Sequence, residues 1–232
     1  LKGKIPYQPL GKFPTPVEKI ETNAKLPDLG GLYIKRDDIS GPLYGGNKVR
    51  KLEFLLGEAS AKGADCVMTF GFAGSNHALA TAFYAHSIGL KCICMLMPQP
   101  ISEHVRHNLL LQIKAGAEVH FCGSYPAMLS RSVIQLLAHK KQNGKFPMVI
   151  PPGGTTPSGT LGFVSAALEL KAQIDAGILP EPDYIYAALG TAGTAAGILL
   201  GLRLAGLKTK VIGVLVVDER WMNHKNYKKT GG

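Results

Sequence analysis

Short apolar segments alternate with longer amphipathic segments from residue 32 to residue 217, and this alternation constrains the fold more than any other feature. The apolar segments predict strands at Leu32–Lys35, Asp65–Phe70, Lys91–Met97, Glu118–Phe121, Pro147–Ile150, Asp183–Leu189 and Lys210–Val217. The segments between them predict helices at Asn47–Lys62, Asn76–Ile88, Ser102–Ala115, Pro126–Gln142, Gly159–Ala176 and Thr194–Ala205. Apolar strands without strict alternation, separated by single helices, predict an α/β fold with a parallel sheet covered on both faces.

Size and composition narrow the class of protein. The 232 residues are 46% apolar and 18% charged, which is enough for a sizeable core. No apolar run is long enough to predict a membrane span, and the N-terminus lacks the apolar centre of a signal peptide. We therefore expect a cytoplasmic protein with no membrane partner. Residues 11–29 show little periodicity and predict an extended lead-in to the first strand.

The four cysteines give little indication of a metal site or a disulfide. No CxxC pair occurs, and we expect Cys92 and Cys94 to project from opposite faces of their strand. All four lie in or beside apolar strand-like segments, so we predict reduced, packed thiols and no metal site.

The formal net charge of +10 raises the question of nucleic-acid binding. Through residue 219 the basic residues are interspersed with acids in a pattern typical of solvated helix faces, and the one local concentration is at residues 220–229. We therefore expect no nucleic-acid partner. A positive surface would still attract an anionic cofactor or substrate.

The first predicted helix carries a lysine among its leucines. At about 100° per residue, its apolar arc contains Lys48, Leu52, Leu55, Leu56 and Ala59. Lys51, Glu58 and Lys62 lie to one side of this arc, where we expect their charges to remain in water. Lys48 extends its amine to solvent past the apolar surface, pairs with another group, or is a functional amine. In the last case desolvation lowers its pKa, which suits Schiff-base chemistry. Considered alone, the helix favours the first interpretation.

Two polar loops follow predicted strands and lead into helices, where ligands gather in α/β folds. The first loop, residues 71–77, contains Gly74, Ser75, Asn76 and His77. Ser75 or Asn76 could simply cap the helix, or the loop could bind ligand oxygens. We expect His77 to be structural, because a helix N-terminus disfavours its charged form. The second loop, residues 151–159, is equally compatible with a turn and with a small polar ligand.

The third loop runs from Gly190 to Gly197 and is rich in small residues and threonine. Accessible N–H groups, the hydroxyls of Thr191 and Thr194 and the dipole of the following helix would stabilise a phosphate. Close helix–strand packing through the glycines is an alternative explanation. The loop has neither the GxGxxG spacing of dinucleotide sites nor the GK[ST] of nucleotide triphosphate loops, so a phosphate monoester is favoured over NAD or ATP.

Together these segments are similar to one family of enzymes. The run from Ile34 to Asp38, followed by the run from Gly45 to Glu53, resembles the lysine segment of the D-cysteine desulfhydrase and 1-aminocyclopropane-1-carboxylate deaminase family, which uses pyridoxal 5′-phosphate. Residues 74–77, 152–154 and 190–194 resemble its later motifs in order and approximate spacing. The similarity extends from about Phe13 to Val217.

The resemblance implies a role for particular residues. Lys48 would form a Schiff base with pyridoxal phosphate, and Asn76 would bond the 3′-oxygen of its ring. Ser75 would lie over the cofactor near the substrate carboxylate or the reacting carbon. The phosphate would be held by the segment Gly190, Thr191, Ala192, Gly193 and Thr194.

The resemblance also implies an architecture. The fold would be the two-domain, tryptophan synthase β-like fold of pyridoxal-phosphate enzymes, known as fold type II, and a homodimer is typical. The smaller domain would comprise residues 47–151, and the larger would combine residues 1–46 and 152–232. In the family, the larger domain continues past the position of Gly232 and supplies a tyrosine near the reacting carbon. The chain could be a fragment, could be shortened in the sequence at hand, or could be a natural short homologue completed by a partner. If it does stop at Gly232, we expect an incomplete sheet with an exposed edge and apolar surface.

The activity implied is that of a lyase or deaminase acting on a small amino acid. D-Cysteine would yield pyruvate, ammonia and sulfide, whereas a cyclopropane amino acid would need a further nucleophile or acid for ring opening, for which Ser75 is the candidate. A second hypothesis is a non-catalytic relative that binds the cofactor or an anionic metabolite without turnover.

Overall fold

A computed structural model describes residues 5–21 and 31–216 of the chain. Its strands are β1 (Val17–Lys19), β2 (Tyr33–Lys35), β3 (Cys66–Phe72), β4 (Lys91–Met97), β5 (Glu118–Phe121), β6 (Met148–Ile150), β7 (Tyr184–Leu189) and β8 (Lys210–Leu215). Its α-helices are α1 (Lys48–Ala61), α2 (Asn76–Ser87), α3 (Glu103–Lys114), α4 (Tyr125–Asn143), α5 (Pro157–Asp175) and α6 (Gly193–Leu204). Short 3₁₀ turns occupy Asp37–Ile39 and Pro152–Gly154.

Two parallel sheets confirm the predicted α/β class. One sheet has the strand order β5-β4-β3-β6, and every neighbouring pair in it is parallel. The other pairs β7 with β8, also in parallel. Each predicted helix and strand in the described ranges is present, with ends that differ by a few residues. No helix in the described ranges has the length and apolar character needed to cross a membrane.

The segment before α1 differs from the prediction. β2 does not join a parallel sheet but pairs antiparallel with β1, which lies in the predicted lead-in, so that Val17 faces Lys35. Val17 and Tyr33 pack against the core formed by α5 and α6, and this contact orders a stretch whose sequence shows little periodicity. Residues 22–29 of the lead-in, the predicted strand end Val217 and the basic residues 220–229 lie outside the described ranges.

The main core lies between α1, α2 and the four-stranded sheet. Leu52, Leu55, Leu56 and Ala59 of α1 are fully buried there, as their arc predicts. All four cysteines are free and buried, which confirms the predicted packed thiols. The expected opposite orientation of Cys92 and Cys94 is wrong. Residues two apart in a strand share a face, and their Sγ atoms are 3.8 Å apart.

Glycines allow α1, α5 and α6 to approach backbone to backbone. A Cβ at Gly162 of α5 would overlap the carbonyl oxygen of Arg50 in α1. On the other side of α5, a Cβ at Gly197 would lie 2.6 Å from the Cβ of Phe163, and one at Gly201 would lie 2.6 Å from the Cβ of Ala167. α5 therefore brings the first turns of α1 close to the N-terminus of α6.

Candidate active site

Lys48 is the first residue of α1 and follows a turn that only glycine permits. Gly46 has φ +105°, and a Cβ at Gly45 would overlap the carbonyl oxygen of Asp38. The Lys48 Nζ donates a hydrogen bond to Asn47 Oδ1 at 3.1 Å. Burial lowers the pKa of this amine, as the functional interpretation of Lys48 requires.

Lys51 is buried, contrary to the prediction that it lies in water. Only 1% of the residue is exposed, because α5 and the 3₁₀ turn at residues 152–154 cover the side of α1 that an isolated helix would expose. Its Nζ donates to the Gly153 carbonyl at 3.0 Å, and no carboxylate in the described ranges pairs with it. Burial and the neighbouring charge of Lys48 lower the pKa of Lys51 to about 8.

The second and third predicted loops meet at this buried amine. A Cβ at Gly193 would lie 3.0 Å from Lys51 Nζ and 2.8 Å from Thr155 Oγ1, so glycine keeps a space open between them. Thr155 and Thr191 share a hydrogen bond of 2.6 Å between their hydroxyls. A cation and two hydroxyls therefore surround the space beside Gly193, which is a suitable set of donors for an anion.

The N-terminus of α6 adds backbone donors to the same space. The N–H groups of Thr194 and Ala195 make no hydrogen bond to any described residue. Ala192 has φ +60°, and among the described non-glycine residues it alone has a positive φ. Such a conformation costs energy and is concentrated at functional sites. Free N–H groups and the positive end of the helix dipole stabilise a bound phosphate.

The first predicted loop also approaches the two lysines. Ser75 caps α2, since its Oγ accepts a hydrogen bond from Ala78 N at 3.2 Å. Gly71 makes room for this serine, because a Cβ there would lie 2.7 Å from Ser75 Oγ. Asn76 is exposed at the start of the helix, and its Oδ1 accepts a hydrogen bond from the Tyr44 hydroxyl at 3.0 Å.

His77 shows how closely this loop approaches the lysines. Its ring is buried, and neither nitrogen makes a side-chain hydrogen bond within the described residues. Burial and the charges of Lys48 and Lys51 lower the pKa of His77 to about 3, so the ring is neutral. The expectation of a disfavoured charge is confirmed, but burial and the two lysines are its main causes.

The structure thus brings Lys48, the Ser75–His77 loop and the Gly190–Thr194 loop to one region, together with Thr155 of the second predicted loop. It also adds Lys51, which was predicted to lie in water. The three-residue spacing of Lys48 and Lys51 was a signal for Lys51, since such residues are neighbours on a helix surface. The resulting set of groups, a desolvated amine beside a buried cation, hydroxyls and free N–H groups, fits an aldehyde that carries a phosphate monoester.

Residues 9–228 match the family model described as "Pyridoxal-phosphate dependent enzyme". The chain belongs to the family of pyridoxal-phosphate dependent enzymes. This confirms the family that the lysine segment and the three loops indicate, and with it the cofactor.

Curated relatives from this family agree with the narrower resemblance. The chain is 37% identical over 218 residues to a "Putative 1-aminocyclopropane-1-carboxylate deaminase" of Pyrococcus horikoshii, covering 93% of this chain and 64% of the relative. It is 38% identical over 220 residues to the "Bifunctional D-cysteine desulfhydrase/1-aminocyclopropane-1-carboxylate deaminase, mitochondrial" of Arabidopsis thaliana, covering 90% and 54%. The chain therefore spans less than two thirds of the length of these relatives.

A solved structure has a fold similar to that of this chain. The crystal structure of an "ACC deaminase homologue" superposes with a TM-score of 0.78 at 35% identity, covering 97% of this chain and 67% of the other. The α/β fold described above is thus shared with about two thirds of that chain.

Proposed function

We propose that this protein is a pyridoxal-phosphate dependent lyase or deaminase that acts on a small amino acid. The candidate substrates are D-cysteine, which would give pyruvate, ammonia and sulfide, and 1-aminocyclopropane-1-carboxylate. The names of the relatives from Pyrococcus and Arabidopsis support both. No observation favours the alternative of a non-catalytic relative.

The buried and unpaired charge of Lys51 is the observation that carries this proposal. An ammonium group removed from water is costly unless a partner compensates it, and here no described carboxylate does so. A phosphate bound between Lys51, Thr155 and the N–H groups of Thr194 and Ala195 would supply the missing counter-charge. The proposed phosphate segment Gly190–Thr194 thereby gains a cation that the sequence did not reveal.

Lys48 is proposed as the residue that holds the cofactor covalently and then moves a proton at the substrate α-carbon. Its lowered pKa favours the neutral amine that both tasks require. When bound, the cofactor would supply an electron sink for the reacting carbon. Asn76 would bind the ring 3′-oxygen, and Ser75 would face the substrate carboxylate or the reacting carbon.

We also propose the division into a smaller domain of residues 47–151 and a larger one of residues 1–46 and 152–232, with the cofactor between them. The four-stranded sheet, which lies wholly within residues 66–150, supports this division. We propose a homodimer as well. The resemblance to a family in which homodimers are typical supports this assembly.

The proposed function is tested by titrating the purified protein with pyridoxal phosphate. A saturable visible absorbance band should appear, and borohydride reduction followed by peptide mapping should locate the cofactor on Lys48. Pyruvate release from D-cysteine and oxobutanoate release from the cyclopropane amino acid then identify the substrate. A protein that stays colourless contradicts the proposal, and a coloured protein that turns over neither compound favours the non-catalytic alternative.

Replacing Ser75 with alanine should preserve the visible band but lower turnover, because the hydroxyl is proposed to act on substrate rather than to hold the cofactor. The variant should also lose about 1 kcal/mol of stability with the helix cap. Ser102→Ala is the matched control, since Ser102 caps α3 through an equivalent 3.2 Å bond to Val105 N and lies outside the site. Steady-state kinetics and thermal unfolding of both variants separate the two effects. Equal turnover in the two variants would remove Ser75 from the catalytic residues.

The affinity of the protein for a simple phosphate monoester such as phenyl phosphate should fall as pH rises through about 8. The ligand is already dianionic there, since its second pKa is about 6, whereas Lys51 loses its charge near this pH. The Lys51→Met variant should bind phenyl phosphate at least tenfold more weakly below pH 8, and its affinity should show no step near that pH. Isothermal titration at several pH values measures both results. Lys62→Met, which removes an exposed lysine from the end of the same helix, should retain the step.

A further inference from the structure

Asn108 is a buried amide on α3 that contacts Gly74 and Asn76 in the first loop of the candidate site. Only 3% of the residue is exposed. Its Nδ2 lies 2.9 Å from the carbonyl oxygen of Gly74 and 2.7 Å from Asn76 Oδ1. The Nε2 of the exposed residue His104 lies 3.2 Å from Asn108 Nδ2. The side chain therefore joins α3 to the loop that carries Ser75 and Asn76.

These contacts determine the orientation of both amides. A backbone carbonyl only accepts hydrogen bonds, so the contact with Gly74 requires that Asn108 present its NH₂ group. The second hydrogen of that group is directed at Asn76 Oδ1, which at 2.7 Å is nearer than His104 Nε2 at 3.2 Å, so Asn76 accepts with its oxygen. The NH₂ group of Asn76 is consequently directed away from α3.

The Tyr44 hydroxyl contacts the same oxygen of Asn76, at 3.0 Å. Its ring stacks on Phe83, with centroids 6.2 Å apart, and this packing restricts the ring. The oxygen of Asn76 thus lies near two donors, whereas no described residue accepts a hydrogen bond from its Nδ2.

We propose that Asn108 is a positioning residue, which fixes Asn76 with its NH₂ group facing the cofactor. This rests on the proposed function, because the free donor of Asn76 is directed at the ring 3′-oxygen of bound pyridoxal phosphate. Without Asn108, the amide of Asn76 can rotate by half a turn, so that its Oδ1 faces the ring 3′-oxygen of the cofactor. Two acceptors then face each other, and the cofactor loses a hydrogen bond to a charged group.

A double-mutant cycle tests this mechanism with cofactor affinity and spectrum as readouts. Asn76→Ala, Asn108→Ala and the double variant are titrated with pyridoxal phosphate, and the pH midpoint of the visible band is recorded for each. Both single variants should bind at least tenfold more weakly than the wild-type protein and should share a shifted midpoint. The double variant should match Asn76→Ala, since Asn108 acts only through that side chain.

Asn108→Asp sharpens the test because it replaces the donor with an acceptor of the same shape. Asn76 should then turn its NH₂ group toward α3, and the loss of affinity should equal or exceed that of Asn108→Ala. Gln112→Ala is the matched control. Gln112 is also buried on α3 and donates to the same loop, at the Ala73 carbonyl (3.1 Å), but does not touch Asn76. It should lower the melting temperature without moving the pH midpoint.

Two results would overturn the proposal while the wild-type protein still binds the cofactor. One is an unchanged affinity and midpoint in Asn108→Ala. The other is that Asn108→Ala lowers the affinity for pyridoxal phosphate equally in the wild-type protein and in the Asn76→Ala variant, which would show that Asn108 acts through the loop backbone. If the wild-type protein itself shows no visible band, the proposed function has failed, and this outcome is distinct from both.

Discussion

Replacing Lys48 with alanine should abolish the visible band of the cofactor-loaded protein and lower turnover by at least about 10²- to 10⁴-fold, the typical contribution of a positioned acid–base group. The amine is proposed to hold the cofactor and to move the substrate proton, whereas the neighbouring Lys51 is proposed to bind the phosphate. Lys51 is nearby but is engaged with the Gly153 carbonyl and the space beside Gly193. Absorbance spectra and product release from both candidate substrates measure the effect.

Lys62→Ala serves as the matched control and should retain both the band and the turnover, because its exposed side chain pairs with Glu58 on the far end of α1. A visible band in Lys48→Ala that borohydride still traps would show that another lysine carries the cofactor.

Replacing Arg50 with leucine should destabilise the protein by about 3–5 kcal/mol, the usual result of removing one partner from a buried ion pair. The Arg50 side chain is 3% exposed and bonds Asp37 at 2.8 and 2.9 Å, Glu169 at 3.0 Å and the Thr15 hydroxyl at 2.9 Å. Leucine would leave the Asp37 carboxylate without this partner, while Glu169 would keep its 2.6 Å contact with Lys35. In a protein of this size the melting temperature should fall by about 6–20 °C.

Arg36→Ala is the appropriate comparison for this effect. Arg36 also makes paired hydrogen bonds to a carboxylate, that of Asp38, and contacts Glu18 at 2.7 Å, but these groups lie at the surface. Exposed ion pairs contribute little to stability, so the melting temperature should scarcely change. If the Arg50→Leu and Arg36→Ala variants have the same melting temperature, burial of the Arg50 network is not what stabilises the region where the lead-in, α1 and α5 meet.

The order of helices and strands and the position of Lys48 could be predicted because each depends on local pattern. The apolar arc of α1 needs only the periodicity of one helix, and Leu52 and Leu55 are buried where it places them. The predicted helix start at Ser102, which caps α3, likewise depends on its immediate neighbours. Each of these features is determined by a segment of fewer than twenty residues.

Lys51 and β1 could not be predicted in this way, because partners distant in the chain decide both. Lys51 would be solvated on an isolated α1, but α5, more than a hundred residues later, covers it. The three residues of β1 show no strand pattern of their own and are ordered by pairing with β2. The role of Asn108 belongs to the same class, since an asparagine on a helix face carries no sign of the loop it contacts.

The glycine contact between α1 and α5 has a consequence for how such a protein diversifies. Gly162 lets the two main chains touch at the turn that carries both lysines, so the spacing between Lys48 and the α6 N-terminus depends on backbone rather than on side chains. Side chains around the pocket can then mutate toward a new substrate without displacing the cofactor.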